Sequence, residues 1–354
     1  MISLPALRGY VLEEVLARLI GASGYRLLVE PNQDPEALVM GNHGLLVRGR
    51  GADHQADVLG QLLWVPIFSL PIRLFVEAKF TGQRVGLHVV RNAHGVIHDV
   101  NEYYRAVPAA MRTHQRYSYR YSLFSASGFT HDAASYALAH QISLIDLSGS
   151  SFQPLLELVE RSASGLHEAL RTKLGPNGYV PRGTVRDAIR NFLDTWTSSP
   201  RQFTAPRDSF VADAVNESME ELLGSLHGRN GSLFLGAPEG PFILALMADH
   251  PQAFIESIQQ FPTQHVEIGW EKRRGRSEWH LVPHLGHNWR LSFNIPDELE
   301  AFIFNEERAN QAVAALAMKS QYLSSITVTV PGAQEFVLGR LLYSGREASV
   351  RRLA

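Results

Sequence analysis

Between Leu74 and Phe80 the side chains alternate in a way that suits a strand with one fully covered face. Successive side chains of a strand point to opposite sides. Leu74, Val76, Ala78 and Phe80 thus form a wholly apolar face, and Phe75, Glu77 and Lys79 form the other. An apolar face of this kind must be covered by a second layer, so the region belongs to a layered fold. The opposite face sets an acid and a base two residues apart. They are either an exposed cross-strand ion pair or part of a site.

The neighbouring periodicities say what the layers are. Leu12, Val15, Leu16, Leu19 and Ile20 recur at helical spacing and predict a helix over 5–22, with Pro5 in its first turn and Gly21 and Gly24 at its end. Strands are expected at 25–30, 43–48, 56–63 and 72–80, a helix at 85–107 and a strand at 119–126. Ser127-Gly128-Phe129-Thr130 reads as a turn, with Thr130 capping a helix over 131–140 before a short strand at 142–147. The order implies an α/β unit with helices packed on a mixed sheet. Beyond it, 151–208 reads as a helical connector (155–168 and 185–196) ending in a linker at 197–208. Residues 209–354 read as a second α/β domain. Its helices fall near 211–226, 250–260 and 296–319, and its strands near 232–236, 241–247, 264–271, 278–283, 288–294 and 326–330.

Composition narrows the classes of function. A content of 45% hydrophobic and 19% charged residues is enough to bury full cores. The net charge of −2 rules out a global polycation, so any nucleic-acid binding must come from local patches. With no cysteine, disulfides, thiolate metal sites and cysteine nucleophiles are excluded. The longest apolar run, Leu62 to Ile72, is about half a membrane span and contains two prolines. It is expected to pack in the core; exposed, its Trp64 and Phe68 would mark a partner surface. With no basic-then-apolar opening segment, a soluble, cytoplasmic protein with no membrane association is expected.

The acids suggest a chemistry. Asp57 follows the polar turn Arg50-Gly51-Ala52-Asp53-His54-Gln55-Ala56, and Glu77 and Lys79 lie twenty residues on. At about 100° per residue, Glu13 falls on the border of the first helix's apolar stripe. Glu14 points nearly opposite, with Arg18 four residues on, and reads as an exposed pair. Carboxylates are hard oxygen ligands that suit Mg²⁺. Asp57 and Glu77 at neighbouring strand ends can hold such an ion, with the Ala78 carbonyl as a further ligand and Glu13 for a second metal or its waters. Lys79 can orient or deprotonate a bound water and offset charge on a phosphoryl group.

These residues resemble the PD-(D/E)xK nuclease superfamily, and more closely the catalytic domain of Mrr-like restriction endonucleases, over residues 7–150. Gly9-x-x-Leu12-Glu13 with Gly24-Tyr25 is similar to that family's opening helix, and Gly51…Asp57-Val58 to its turn and first metal aspartate. Glu77-Ala78-Lys79 matches the acid-x-lysine strand, and Val85-Gly86…Val89-x-Arg91…Gly95 resembles the helix start that follows. Ser127-Gly128-Phe129-Thr130…Ala133…Tyr136-Ala137…Ile142-Ser143-Leu144-Ile145-Asp146 is similar to the closing helix and strand. The resemblance implies a restriction-endonuclease-like core and an Mg²⁺-dependent DNA endonuclease, with Mn²⁺ able to substitute. Its catalytic set is Glu13, Asp57, Glu77 and Lys79, and a homodimer is plausible. Here Gln55-Ala56 stands before the aspartate, where the family usually has a second glycine or a proline.

Contacts to DNA are expected from Arg50, His54 and Gln55 in the turn, from Arg91, and from Arg112, Arg116 and Arg120 among tyrosines. Lys272, Arg273 and Arg274 form a hairpin tip that is either a DNA contact or a solubilising turn. His94 and His98, and the group His280, His284 and His287, have metal-ligand spacing but no accompanying catalytic glutamate or carboxylate. The same residues also suit a non-cleaving DNA-binding or scaffold module, or a repair, junction or RNA nuclease, because fold does not settle substrate. The second domain is expected to supply target or partner recognition.

Overall fold

The computed structural model describes residues 2–42, 44–106, 115–175, 178–196, 206–227, 232–240, 242–273, 276–284, 286, 288–304, 308–332 and 336–343. The chain opens with α1 (Leu4–Ala22), β1 (Tyr25–Leu27), β2 (Leu38–Gly41), β3 (Gly44–Arg48), β4 (Asp53–Gln55), β5 (Val58–Leu62) and β6 (Ile72–Lys79). It continues through α2 (Leu87–Ala106), β7 (Ser118–Ser125), α3 (His131–Ala139) and β8 (Ser143–Asp146). Helices α4 (Gln153–Leu174), α5 (Arg182–Leu193) and α6 (Pro206–His227) follow. The remainder is β9 (Ser232–Pro238), β10 (Leu244–Ala248), α7 (Pro251–Gln260), β11 (Thr263–Arg273), β12 (Arg276–Pro283), β13 (Leu291–Phe293), α8 (Asp297–Phe304), α9 (Arg308–Tyr322), β14 (Ser325–Pro331) and β15 (Phe336–Tyr343).

The first sheet has the order β1-β5-β6-β7-β8. Its β1–β5 and β5–β6 pairs are antiparallel, and β6–β7 and β7–β8 are parallel. The mixed sheet is therefore as expected, and the alternation along β6 sorts its layers. Leu74 and Val76 enter a core with Leu12, Leu16 and Ile20 of α1. Phe75 enters another with Val90 and Ala93 of α2 and Ala133 and Ala137 of α3. Thr130 caps α3 by accepting a hydrogen bond from the Ala133 amide. At Gly128, φ is +79°, and a Cβ would stand 2.7 Å from Asp146 Oδ2, so the turn ahead of that cap needs glycine.

Helices α4 and α5, in the stretch expected to be a connector, share a core with α6 and α1. Leu155, Val159 and Leu166 of α4, Val185 and Ile189 of α5 and Val211 and Met219 of α6 share the core that covers α1. Leu233, Leu235, Ala245 and Met247 of β9 and β10 join it from the far side. The C-terminal strands close into a barrel of order β10-β13-β12-β11-β15-β14-β9. Closure leaves no open sheet edge. Phe234, Trp279, Leu281 and Phe293 fill its core together with Phe254 of α7, Leu299 of α8 and Met318 of α9. A second α/β region was expected here, but its closure was not. The barrel is tied back to the first sheet where Glu278 accepts hydrogen bonds from the Ser150 and Ser151 hydroxyls, and Asn294 Nδ2 donates to the Asp146 carbonyl at 3.1 Å. Among the described residues, no helix is long and apolar enough to cross a membrane.

The apolar insert departs from expectation. Leu63, Val65, Ile67, Phe68 and Leu70 are exposed, Ile67 at 85% and Phe68 fully. The segment joins β5 to β6.

Candidate active site

The acid-bearing strand ends meet through the backbone. Asp57 lies one residue before β5, and its amide donates to the Val76 carbonyl at 3.1 Å. The Ala78 amide donates to Asp57 Oδ2 at 2.9 Å. Within a strand, the N–H and C=O of one residue face the same neighbour. The Ala78 carbonyl is thus turned towards Asp57. Glu77 shares a face of β6 with Lys79; its Oε1 pairs with Lys79 Nζ at 2.5 Å and its Oε2 accepts from the Tyr121 hydroxyl at 2.5 Å. Tyr121 is itself fixed by stacking on Phe75, with ring centroids 5.0 Å apart.

Glu13 reaches this neighbourhood from α1, where its carboxylate pairs with Arg186 of α5. Burial and then the Asp57 charge push Glu13 up to about 8, against the opposing pull of Arg186. Burial also raises Asp57, with Glu77 adding to the rise while the Ala78 amide opposes it. Burial works against the charge on Lys79, but Glu77, Asp57 and Glu13 outweigh it and hold the ammonium above its ordinary range. Lys79 is therefore a cation at neutral pH, suited to offsetting negative charge rather than to accepting a proton. Tyr121 is also raised, by burial and then by Glu77, so its hydroxyl remains a donor.

One expectation about the acids is overturned. Glu14 is not in an exposed pair with Arg18; it is 2% exposed, under α5. Its carboxylate accepts from Arg190 Nε at 2.9 Å and from the Thr195 hydroxyl at 2.7 Å. Arg18 donates instead to the Leu193 carbonyl at 2.7 Å. The phase of α1 was read correctly, but a helix sandwiched between a sheet and a second helical layer has no solvent face on which to leave the acid.

The turn before Asp57 is held by Asp99 of α2. Asp99 accepts from the Gly51 amide at 2.9 Å, the Ala52 amide at 3.2 Å and His54 Nε2 at 2.8 Å. A Cβ at Gly49 would stand 2.1 Å from Asp99 Oδ2 and 2.4 Å from the Ala52 carbonyl, which explains the glycine. His54 is thereby part of the turn's own structure. Gln55 lines the cleft beside Glu13, and Arg50 is exposed next to the turn.

The remaining basic residues do not gather at this point. Lys79 pairs in register with Ser125, whereas Arg120 lies opposite Leu74. That is five residues up the strand, about 16 Å away, with Arg116 further still. Arg116 lies over the Tyr104 ring at 5.4 Å, and Arg91 over Tyr136 at 5.7 Å. Arg112, Arg274 and His287 fall outside the described residues, and Lys272 and Arg273 end β11. His94 Nδ1 is 2.9 Å from the Tyr136 hydroxyl and its ring 4.2 Å from His140, and His284 is 3.9 Å from Glu267. Among the described residues, no three His, Cys, Asp or Glu side chains are arranged as a metal-binding group. The chemistry of the donors at Asp57, Glu77 and the Ala78 carbonyl nevertheless fits a hard cation. All are oxygens, and burial, then the neighbouring carboxylates, raise the proton affinity of Asp57 and Glu13; a divalent ion offsets the carboxylate part of that rise.

Arg186, Arg190 and Tyr121 were not singled out from the sequence. Arg182, Arg186 and Arg190 recur every four residues on α5, which places three guanidinium groups on one stripe. That spacing was the available signal. Together with α1, the β2–β3 turn and Gln55, this stripe borders a cleft of about 590 Å³ that opens beside Glu13.

A scan against protein-family models finds no match, and a search of curated proteins finds none. Among solved structures, the crystal structure of a protein of unknown function, AF1548, is similar at 14% identity and a TM-score of 0.32, covering 61% of this chain and 98% of that one. A likeness at that level says nothing about function.

Proposed function

We propose that the chain is a metal-dependent endonuclease of restriction or defence type that hydrolyses phosphodiester bonds of DNA in the cytoplasm. The observation that carries this reading is the Ala78 amide on Asp57, because it locks an aspartate to the strand that bears Glu77 and Lys79. The mixed sheet, with that strand at its centre and helices on both faces, suits a restriction-endonuclease-like core. DNA as the substrate rests on the Mrr-like resemblance.

In this reading Asp57, Glu77 and the Ala78 carbonyl would hold Mg²⁺ or Mn²⁺. When bound, such an ion lowers the pKa of a coordinated water and polarises a phosphoryl oxygen. Lys79, kept cationic by its carboxylate neighbours, offsets the charge that builds on the phosphate. Tyr121 fixes the rotamer of Glu77. Arg186, which holds Glu13, also favours the charged form of Asp57, so in this reading Glu13 acts through its pair with Arg186 rather than as a direct ligand. The test is incubation of plasmid and linear DNA with Mg²⁺ or Mn²⁺, with Lys79→Ala and Asp57→Ala as controls. Cleavage dependent on metal and lost in both variants is expected; cleavage that persists in both places the activity elsewhere.

One observation favours a second reading. Glu77 and Glu13 are each engaged by a basic side chain, as in a non-cleaving DNA-binding module that keeps the fold. Calorimetry with Mn²⁺ separates the two, because heat that is lost in Asp57→Ala excludes this second reading.

A further inference from the structure

The cleft beside Glu13 has a composition of its own. Tyr10 of α1 and Trp196 beyond α5 supply aromatic rings to it, and each is backed by a guanidinium. Arg186 lies 5.0 Å from the Tyr10 ring and Arg190 5.4 Å from the Trp196 ring. A ring with a cation on one side is a strong platform for a flat, polarisable ligand on the other. Arg186 and Arg190 are themselves oriented by Glu13 and Glu14, so the platforms are built in advance. The buried Trp196 Nε1–H has no hydrogen-bond partner among the described residues. Buried donors in native structures normally find an acceptor.

Charge and volume limit what fits. The cleft is bordered by Arg182, Arg186 and Arg190, but also by Glu13, Glu30 and Asp187. Arg186 and Arg190 are already engaged by Glu13 and Glu14, so the cleft presents no open cluster of cations for a polyanion such as a triphosphate. Of the three arginines, only Arg182 is exposed at the rim, where one phosphate can meet it. A volume of about 590 Å³ admits a small ligand but not a duplex.

We infer that this cleft binds one unstacked nucleotide, with the base between the Tyr10 and Trp196 platforms and the 5′-phosphate at Arg182. The inference deepens the nuclease reading and rests on it for the link to cutting, because the cleft is lined by Glu13 and by Gln55, two residues before Asp57. The nucleoside monophosphate is the chemistry recognised. It comes either from a base extruded from a strand or from a free nucleotide.

The test uses the full chain without divalent metal. Deoxynucleoside monophosphates and a 5′-phosphorylated trinucleotide are titrated by calorimetry and by tryptophan fluorescence. Binding is expected, with the triphosphate no tighter than the monophosphate. Gly183 lines the cleft and has nothing within 4 Å of where its Cβ would stand, so Gly183→Phe fills the cleft without a clash in the fold. Gly183→Phe and Trp196→Leu are each expected to weaken binding at least tenfold, while Gln252→Ala, on α7 and outside the cleft lining, binds as the parent does. Absence of binding by every mono- and trinucleotide, or equal binding by Gly183→Phe, overturns the inference. Duplex DNA carrying 2-aminopurine tells the sources apart. A fluorescence rise that Gly183→Phe abolishes identifies an extruded base, and monophosphate binding without that rise identifies a free nucleotide. Nucleotide binding without DNA cleavage keeps the cleft and removes the nuclease reading, whereas cleavage without nucleotide binding does the reverse.

Discussion

Arg186 on α5 reaches back across 173 residues of sequence to pair with Glu13 on α1, and the two side chains are only 12% and 11% exposed. The contact fastens the helical layer to an acid that feels the Asp57 charge. Above about pH 8, where Glu13 is ionised, truncating Arg186 leaves a buried charge uncompensated, which is more damaging than removing both partners. At pH 9 Arg186→Met is therefore expected to lower stability by about 3 kcal/mol, and Arg186→Met with Glu13→Gln by less. Urea denaturation of the two single variants and the double variant completes the cycle. Additive losses would mean that the contact carries no coupling.

The pH dependence of stability has a definite sign. Glu13 moves from its ordinary 4.5 to about 8 in the folded chain, through burial and the Asp57 charge. Between those values the folded state holds a proton that the unfolded chain has released. Stability is then fully present below about pH 4.5 and is lost as pH rises towards 8. Asp57 is raised as well and adds in the same direction. Glu13→Gln cannot titrate. The difference in denaturation midpoint between parent and variant should shift in the variant's favour from pH 5 to pH 9. A constant difference across that range would mean that Glu13 is charged throughout.

The Tyr121 hydroxyl holds Glu77 on the face of β6 that also carries Lys79. Hydrogen bonds to a charged group contribute about 1.5–3 kcal/mol. Tyr121→Phe keeps the stacking on Phe75 and deletes only this donor. A loss of about 1.5 kcal/mol in thermal or urea unfolding is expected, with metal-dependent cleavage reduced but not abolished. An unchanged stability would show that Glu77 finds an equal partner in water.

Much of the sheet was legible because its signals are local. The alternation from Leu74 to Phe80 sorts two cores by itself, and Thr130 caps α3 where a threonine ahead of a helix is expected to. The misreadings concern relations that no local pattern encodes. Glu14 looked exposed because the phase of α1 carries no record of α5, which arrives 160 residues later to bury it. Arg186 and Arg190 of α5 were not singled out, because their partners Glu13 and Glu14 lie on α1, far away in sequence. Strand β15 was not recognised at all. It pairs in parallel with β11 and antiparallel with β14, so it is defined by long-range closure of the barrel. The site itself was half legible. Asp57, Ala78, Glu77 and Lys79 are neighbours by strand register, while Arg120 lies too far along β7 to join them and Arg116 precedes that strand.

The segment between β5 and β6 was expected to be core and is instead open, which makes its backbone testable. Phe68 has φ of 61°, in the left-handed region, and its side chain is fully exposed. For most residues that conformation costs roughly 1–2 kcal/mol, and here no burial of the ring offsets it. Asparagine tolerates the left-handed region because its short polar side chain hydrogen-bonds locally. Phe68→Asn is therefore expected to raise stability by about 0.5–1 kcal/mol, against the usual rule that replacing a large hydrophobe destabilises. Glycine is a less useful replacement, because it adds conformational entropy to the unfolded chain. The measurement is the urea midpoint of Phe68→Asn beside Phe68→Ala, which removes the ring without easing the backbone. Equal gains in both would mean that the backbone is unstrained and that the exposed ring alone is the burden. A loss in both would mean that Phe68 is covered in solution.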